Sequence, residues 1–378
     1  SRASTKMVQG PNGLLREVPT NTIAREWKNG KCQGALIEEQ RTNLLTYSEQ
    51  FDDASWRKAD VTVGPNVETD PQGNLLADKV TEDASDFVHQ VVKDTTLSAS
   101  TEHTVSVFVK SAGRDYGSFV VTSPGMSTKS VVFNTAAGTI ESLTGEDAQI
   151  EEYADGLYRI SMVFTTVNGG TSSFRIRIRK ESTDSYLGDG ASGLYIWGAQ
   201  LEAGSQPSSY IPTTTSQVTR AADDVSRTLG GEVNNNEGTF FWSGFLKETD
   251  SGSSQLRGPQ IKNSSGSSRL LPVRGAGTFF DSTNEIGLLI NTQTSNNSPI
   301  TSYIYSSSEP VNLGVSFHKD GTGIACFNGN TTSFSVTGEF LFDEIIVANG
   351  SNVFPSSYGE VSLYPYAMTA AELEELTK

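Results

Sequence analysis

Alternation of apolar and polar residues over short stretches is the feature that most limits the fold of this chain. Residues 174–179 read FRIRIR and residues 105–110 read VSVFVK, so apolar side chains recur at every second position. A period of two places such side chains on one face of a β-strand. Turn sequences with glycine separate these stretches from others of the same kind, at 111–113, 136–138, 168–170 and 188–190. About eight short strands at this spacing, with no helical stretch between them, predict an antiparallel sandwich.

The length of the chain predicts a second sandwich. At 378 residues it is too long for one ordinary sandwich, and a further series of short strand patterns runs from about residue 239 to residue 364. We therefore predict an all-β protein of two antiparallel jelly-roll β-sandwiches with one short C-terminal helix. The predicted parts are an N-terminal segment packing at the domain junction (1–45), a jelly roll (46–214), a linker (215–232) and a second sandwich (233–378).

The predicted helix begins at a capping box near the C-terminus. Thr369 and Glu372 have the spacing at which each side chain bonds the backbone amide of the other. Leu373 and Leu376 then form a short apolar stripe. This helix is expected to close a domain rather than to form a core.

Composition and charge exclude several classes of protein. Hydrophobic residues make up 35% and charged residues 19% of the chain, with 36 glycines, which favours strands joined by polar turns over helical bundles or disorder. The net charge of −16 predicts repulsion from phosphate backbones, so we expect no nucleic-acid partner.

No apolar run approaches the roughly 18 residues needed to cross a bilayer, so we expect no membrane insertion. Cys32 and Cys326 lie far apart, and both are predicted to be reduced.

No enzyme signature is present, and we predict a non-enzymatic protein without a cofactor. The sequence contains no G-x-S-x-G elbow, P-loop or dinucleotide fingerprint. Residues 339–344 bring three carboxyl groups near one strand, but Asp343 and Glu344 are adjacent and point to opposite faces. A polysaccharide depolymerase is therefore the weaker hypothesis. The histidines lie singly, without the clustered spacing of a zinc site: His89, His103 and His318.

Three arginines on one strand face are the most unusual local pattern. Arg175, Arg177 and Arg179 alternate with apolar residues that we expect to be buried. Like charges on one face repel one another, so they need open solvent or acidic partners. Two interpretations remain open. The face is solvated and balanced by Asp and Glu of neighbouring strands, or it is a cationic groove for a glycan with uronate or sulfate groups, which guanidinium geometry matches.

Two residues of the 105–110 strand complete the candidate ligand-binding set. Phe108 and Lys110 share the face opposite the valines. An outward aromatic ring would stack on a sugar, and a lysine would add positive charge. The candidate site is therefore Arg175, Arg177, Arg179, Phe108 and Lys110.

Several unrelated sequence words occur in a fixed order over residues 1–225. They are SRAS at 1–4, EEQRTNLL at 38–45, SEQF at 48–51, ASW at 54–56, GLYR at 156–159, YIWGAQLE at 195–202, SYIPT at 209–213 and TRAAD at 219–223. In this order they resemble the carbohydrate-binding-module-like jelly roll of phage head-spike fibre and tail-associated proteins. The resemblance implies a module carried on virions or gene-transfer particles. It supplies no ligand motif that maps onto individual residues.

The remainder of the chain resembles a laminin-G/concanavalin-like domain. The similar words are VSF at 315–317, ACFNG at 325–329, EVSLY at 360–364 and MTAAEL at 368–373. The resemblance implies a fold that often carries structural calcium. No dense Asp/Asn loop with calcium-ligand spacing stands out, so the metal content is left open.

The resemblance implies a spike or fibre protein on the surface of a virion or phage-like particle, assembled in the bacterial cytoplasm. Its expected partners are a host-surface polysaccharide, bound for adsorption, and other particle proteins. A homo-oligomer present in many copies would gain avidity from weak single sites. The alternative is a structural decoration or connector protein of the particle with no glycan ligand. The sequence names neither the glycan nor a head or tail location.

Overall fold

The computed structural model confirms an all-β protein of antiparallel sheets with one short C-terminal helix. It describes residues 2–181, 183–230, 236–246, 256–263, 269–274, 285–292, 295–296, 302–304, 309–349 and 356–378. The single α-helix in these ranges is α1 (Ala370–Thr377), and Ala154–Gly156 form a 3-10 turn. No helix among these residues is long and apolar enough to cross a membrane.

The strands follow one another along the whole described chain. In the first 230 residues they are β1 (Lys6–Gln9), β2 (Leu15–Val18), β3 (Arg25–Lys28), β4 (Lys31–Ile37), β5 (Arg41–Asn43), β6 (Arg57–Ala59), β7 (Val61–Thr69), β8 (Leu75–Glu82), β9 (Asp86–Val88), β10 (Gln90–Leu97), β11 (Glu102–Ala112), β12 (Tyr116–Thr122), β13 (Lys129–Asn134), β14 (Thr139–Leu143), β15 (Asp147–Glu152), β16 (Tyr158–Thr165), β17 (Gly170–Arg179), β18 (Ser185–Leu187), β19 (Gly193–Ala203), β20 (Val218–Arg220) and β21 (Asp224–Thr228). After residue 235 they are β22 (Glu237–Leu246), β23 (Leu256–Arg257), β24 (Gln260–Lys262), β25 (Arg269–Arg274), β26 (Glu285–Thr292), β27 (Ser295–Asn296), β28 (Ser302–Ile304), β29 (Val311–His318), β30 (Thr322–Phe327), β31 (Asn330–Ser335), β32 (Glu344–Asn349) and β33 (Ser356–Tyr364).

The chain forms two compact units that interleave in sequence. We call Lys6–Glu17 with Arg41–Arg220 the first sandwich, and Ser1–Thr5 with Val18–Gln40 and Ala221–Lys378 the second sandwich. The N-terminal 45 residues, predicted as a single segment, thus contribute to both units. The stretch 215–232, predicted as a linker, contains β20 and β21. Its polar composition does not prevent these short strands from pairing with β5 and β32 respectively.

The first sandwich consists of two six-stranded sheets that face each other. One has the strand order β14-β13-β12-β17-β10-β6, and the other has the order β15-β16-β11-β19-β8-β7. Alternate side chains of both sheets meet in one buried core, as the period of two predicts. Its members include Val105, Val107, Val109, Phe119, Phe174, Ile176, Ile178 and Ile196.

The second of these sheets is also covered on its outer face. Phe108, Trp197 and Tyr210 pack there with ring centroids 4.6–6.1 Å apart. Met7 and Leu15, from the β1–β2 hairpin, belong to the same buried cluster. This sheet therefore buries side chains on both faces.

One buried asparagine of the word EEQRTNLL bonds later parts of the first sandwich. The Asn43 side chain donates to the carbonyls of Ala199 and Ile211 at 3.0 and 2.9 Å. Its oxygen accepts from the amides of Leu45 and Leu201, both at 3.1 Å. All four hydrogen-bonding positions of the amide are thus used between β5, β19 and residue 211. Asn43 therefore holds β5 and residue 45 against β19 and residue 211 within the first sandwich.

The second sandwich is built on the same plan. One sheet has the order β3-β4-β33-β22-β29-β30-β31, and the other has the order β21-β32-β24-β25-β26-β27, with β23 and β28 paired beside it. Its core includes Phe240, Trp242, Ile261, Leu270, Leu288, Leu313, Val315 and Phe317. The β30–β31 hairpin turns at Asn328 and Gly329, whose φ angles are +42° and +79°. Two successive left-handed residues suit a two-residue hairpin, for which Asn-Gly is the favoured pair.

The predicted capping box of α1 is confirmed. The Thr369 hydroxyl accepts from the amide of Glu372, and the Glu372 carboxylate accepts from the amide of Thr369. Leu373 is buried with Met368 and Cys326. Cys326 lies with its Sγ 3.0 Å from Oγ1 of Thr377, whereas Cys32 is exposed, and neither forms a disulfide in the described residues.

Candidate functional site

The three arginines lie on the outward face of the first sheet of the first sandwich. Phe174, Ile176 and Ile178 of β17 point into the core, so the intervening arginines point away from it. Antiparallel pairing places residues of β6, β10 and β12 beside them. We call this surface the arginine face: Arg57, Gln90, Val92, Asp94, Tyr116, Ser118, Val120, Thr122, Ser173, Arg175, Arg177 and Arg179.

Arg177 and Arg179 share one carboxylate. Arg177 donates through Nη1 to Oδ2 of Asp184 at 3.0 Å and through Nε to Oε1 of Gln90 at 3.0 Å. Arg179 donates to the other oxygen of Asp184. Asp184 lies just after the turn that follows β17, where Glu181 has a left-handed φ of +55°. The acidic partner therefore comes from a turn rather than from a neighbouring strand.

Arg175 has a different environment. Its Nη1 donates to Oγ1 of Thr122 at 3.0 Å. It forms no ion pair with any residue in the described ranges. Burial lowers the pKa of the Arg175 guanidinium, and the positive charges of Arg177 and Arg57 lower it further, against the opposing effect of Asp94. Arg175 is thus a half-buried cation beside other cations.

Arg57 is a second arginine on this face without an ion pair among the described residues. Val92 pairs with Arg57 on one side and with Arg175 on the other, so the two arginines flank Val92 in one cross-strand row. Arg57 is exposed and, within the described part of the chain, also lacks an ion pair. Asp94 lies one row away, where it accepts a hydrogen bond from the Ser173 hydroxyl. This end of the face therefore carries positive charge that the fold leaves without a bonded counterion.

Phe108 does not belong to this site, and its prediction as a stacking surface is wrong. It is 0% exposed and makes edge contacts with Tyr153, Trp197 and Tyr210. The alternation of β11 is as predicted, with the valines on the opposite face. The error arises because the outer face of this sheet is covered by a second apolar cluster.

Lys110 is also separated from the arginines. It lies on β11, in the opposite sheet of the sandwich, and its Nζ is 3.5 Å from a carboxylate oxygen of Glu68. The structure therefore brings together Arg175, Arg177 and Arg179 but not the other two predicted residues.

Exposed aromatic surface lies elsewhere. Tyr116 is half-buried on the arginine face, opposite Arg179 in the register of β12 and β17. Phe87 is 62% exposed on β9, which pairs with β18 immediately after Asp184. The sequence pattern predicts a strand from Phe87, but β9 is only three residues long, which is too short an alternation to predict that Phe87 is exposed.

Arg57, Gln90 and Asp184 were likewise missed. Arg57 lies in a three-residue strand and approaches Arg175 only through pairing of β6, β10 and β17, across more than 100 residues of chain. Asp184 lies in a turn. The period of two in the sequence predicts on which face of a strand a side chain lies, but it does not predict which strands pair with one another.

The described residues form neither a metal site nor a paired-carboxylate site. No group of three or more His, Cys, Asp and Glu side chains there is placed to hold a metal ion. In the carboxyl cluster at 339–344, Oε2 of Glu339 lies 3.7 Å from Nζ of Lys319. Oε2 of Glu344 lies 3.2 Å from Nζ of Lys262. Each of these two carboxylates thus has its own lysine partner.

No family model and no curated protein matches the chain. Its structure is similar to the CBM40 of the Ruminococcus gnavus IT-sialidase bound to α2,3-sialyllactose, at 11% identity and a TM-score of 0.29, over 39% of this chain and 85% of that one. It is similar to the receptor-binding domain of botulinum neurotoxin C/D mosaic serotype at 11% identity and a TM-score of 0.32, over 41% of this chain and 40% of that one. It is similar to domains LG4-5 of the mouse laminin α1 chain at 9% identity and a TM-score of 0.26, over 76% of this chain and 90% of that one. At these identities and scores, the likenesses are too distant to transfer a ligand or an activity.

Proposed function

We propose that this protein is an adhesion component on the surface of a phage or phage-like particle, and that its first sandwich binds an acidic host-surface polysaccharide through the arginine face. One observation carries the glycan part of the proposal. Arg57 and Arg175 present positive charge without an ion pair among the described residues, on a chain whose net charge is −16. The resemblance of the sequence words to those of phage spike and fibre proteins supports the particle location.

The chemistry of the face suits a repeating anion better than a neutral sugar. Four guanidiniums (Arg57, Arg175, Arg177 and Arg179) stand against two carboxylates, Asp94 and Asp184, on this face and its adjoining turn. Guanidinium groups pair geometrically with carboxylate and sulfate oxygens. The face is a sheet surface rather than a deep pocket, so a polymer can lie across it.

The single-site affinity is expected to be weak. Each exposed ion pair contributes about 0.2–1 kcal/mol, so a few contacts give a dissociation constant of about 1 mM or weaker. Binding by many copies on one particle multiplies this affinity through effective concentration. Salt should weaken binding, because the Debye length falls from about 10 Å at 0.1 M to about 3 Å at 1 M.

The test uses the full chain with three soluble polymers: dextran sulfate, polygalacturonate and uncharged dextran. We expect binding to at least one charged polymer, weakened by salt, and none to dextran. The triple variant R57Q/R175Q/R177Q should lose this binding. The control R25Q removes one exposed charge of the second sandwich and should keep it. Absence of charged-polymer binding by the wild type, or equal binding by the triple variant, would overturn the proposal.

A separate measurement addresses the particle. Antibody labelling of intact particles should place the protein on their surface, and soluble protein should compete with particle adsorption to host cells. Surface labelling without competition would favour the alternative role as a decoration or connector protein.

A further inference from the structure

The arginine face divides into two halves with different chemistry. In the first half, Asp184 occupies both Arg177 and Arg179, and Gln90 takes a further donor of Arg177. Arg179 is buried and Arg177 is half-buried. A ligand anion could reach the bonded donors only by displacing Asp184 or Gln90, and the Asp184 carboxylate already offsets the charge of both arginines.

The second half contains Arg57 and Arg175. Only one of the five N–H donors of Arg175 is used within the described residues, by Thr122. The two side chains arise from strands on either side of β10. Strands pair at about 4.8 Å, so their Cα atoms lie roughly 10 Å apart. The Arg175 guanidinium bonds Thr122 of β12, on the side of β17 away from β10, so it meets Arg57 at one oxyanion above Val92 by turning towards β10.

An anion between these two groups would also relieve a cost that the fold carries. The charges of Arg57 and Arg177 both disfavour the charged form of Arg175, and burial adds to this effect. A negative group bound beside Arg175 offsets the repulsion, and it does so more strongly than at a fully exposed site because partial burial lowers the local dielectric. The half-buried position of Arg175 thus makes it the stronger anchor, with exposed Arg57 closing from the other side.

From this we infer that one oxyanion of the polysaccharide, a sulfate ester or a uronate carboxylate, binds between Arg57 and Arg175, and that Arg177 and Arg179 are structural residues held by Asp184. The inference rests on the proposed glycan-binding function and assigns its anion subsite. Arg57 supplies half of this subsite, although no sequence pattern marks it. Of the three arginines of β17, Arg175 therefore binds the ligand, whereas Arg177 and Arg179 have a structural role.

Single variants of the full chain distinguish these roles, with dextran sulfate and polygalacturonate as probes. We expect R57Q and R175Q each to weaken binding about five-fold or more, as expected for one ion pair of about 1 kcal/mol. R177Q should leave the dissociation constant within about two-fold, because the charge of Arg177 is already paired with the Asp184 carboxylate. It should instead lower the free energy of unfolding of the first sandwich, measured by hydrogen exchange on its peptides, because the Gln90 and Asp184 contacts are lost. The control R25Q should change neither quantity.

R57Q alters an exposed side chain, so it reports on binding even if R175Q folds poorly. The probe whose binding depends on Arg57 identifies the oxyanion as sulfate or carboxylate. Binding that R177Q weakens as much as R57Q does, or that R57Q leaves unchanged, overturns the subsite while leaving the proposed function intact. Failure of the wild type to bind either charged polymer overturns the proposed function itself.

Discussion

Arg2 is buried within the second sandwich, and replacing it with alanine is expected to destabilise that unit. Its guanidinium donates to Oδ1 of Asp223 at 3.0 Å, with side-chain exposures of 1% and 6%. Further donors reach the carbonyls of Ser4 at 2.8 Å, Pro19 at 3.1 Å and Val18 at 3.2 Å. One side chain thus ties residues 2–4 to the segment around residue 19 and to Asp223.

The magnitude follows from what R2A leaves behind. Asp223 keeps a hydrogen bond from the amide of Glu38 at 2.9 Å, but its buried charge loses the Arg2 guanidinium. Removing one member of a buried ion pair costs about 3–5 kcal/mol, because the remaining charge stays desolvated. The carbonyls that lose their donors add to this cost. A loss of this size is a large fraction of the stability of an ordinary domain.

The assay must read each sandwich separately, because a single unfolding midpoint is not well defined for two units. Hydrogen exchange measured against denaturant on peptides of β29 reports the second sandwich, and peptides of β11 report the first. R2A should lower the free energy of unfolding of the β29 peptides by about 3–5 kcal/mol. The control R25A removes an exposed arginine of the same unit and should cost less than about 0.5 kcal/mol. The double variant R2A/D223A should lose less than the sum of the single variants, because they share one interaction. The reasoning is refuted if R2A behaves like R25A.

Three other perturbations have defined outcomes. Gly193→Ala should destabilise the first sandwich by about 3 kcal/mol in denaturant titrations, because the added Cβ would lie 1.9 Å from the Val80 carbonyl oxygen, and a wild-type midpoint would contradict this. Burial raises the pKa of Glu49 above its ordinary 4.5, against the Tyr210 hydrogen bond, so the folded state holds this proton more readily than the unfolded state. The stability of the first sandwich should therefore fall as pH rises from about 4.5 towards 7, and E49Q should reduce that fall in midpoints measured across this range; equal pH profiles would argue against it. Thr369→Ala should lower the thermal midpoint of the second sandwich by removing a cap worth about 1 kcal/mol, whereas Thr369→Ser should retain it.

The alternation of side chains was predictable because it depends only on local geometry. Residues 174–179 place apolar groups in the core and arginines outside, and residues 369–372 form the predicted cap. In both cases the side chains that interact are separated by only a few positions. Backbone geometry then determines the outcome before any distant part of the chain is considered.

The role of each face was decided only by tertiary structure. Phe108 takes the side of β11 that its alternation predicts, yet that side is buried because aromatic residues and the β1–β2 hairpin cover it. Arg57 approaches Arg175 through two strand pairings, and Asp184 reaches Arg177 and Arg179 from a turn. The sequence by itself determined strand patterning, the C-terminal cap and the all-β class. Which strands became neighbours, and hence which charges remained without a partner, depended on contacts between distant residues that no local period encodes.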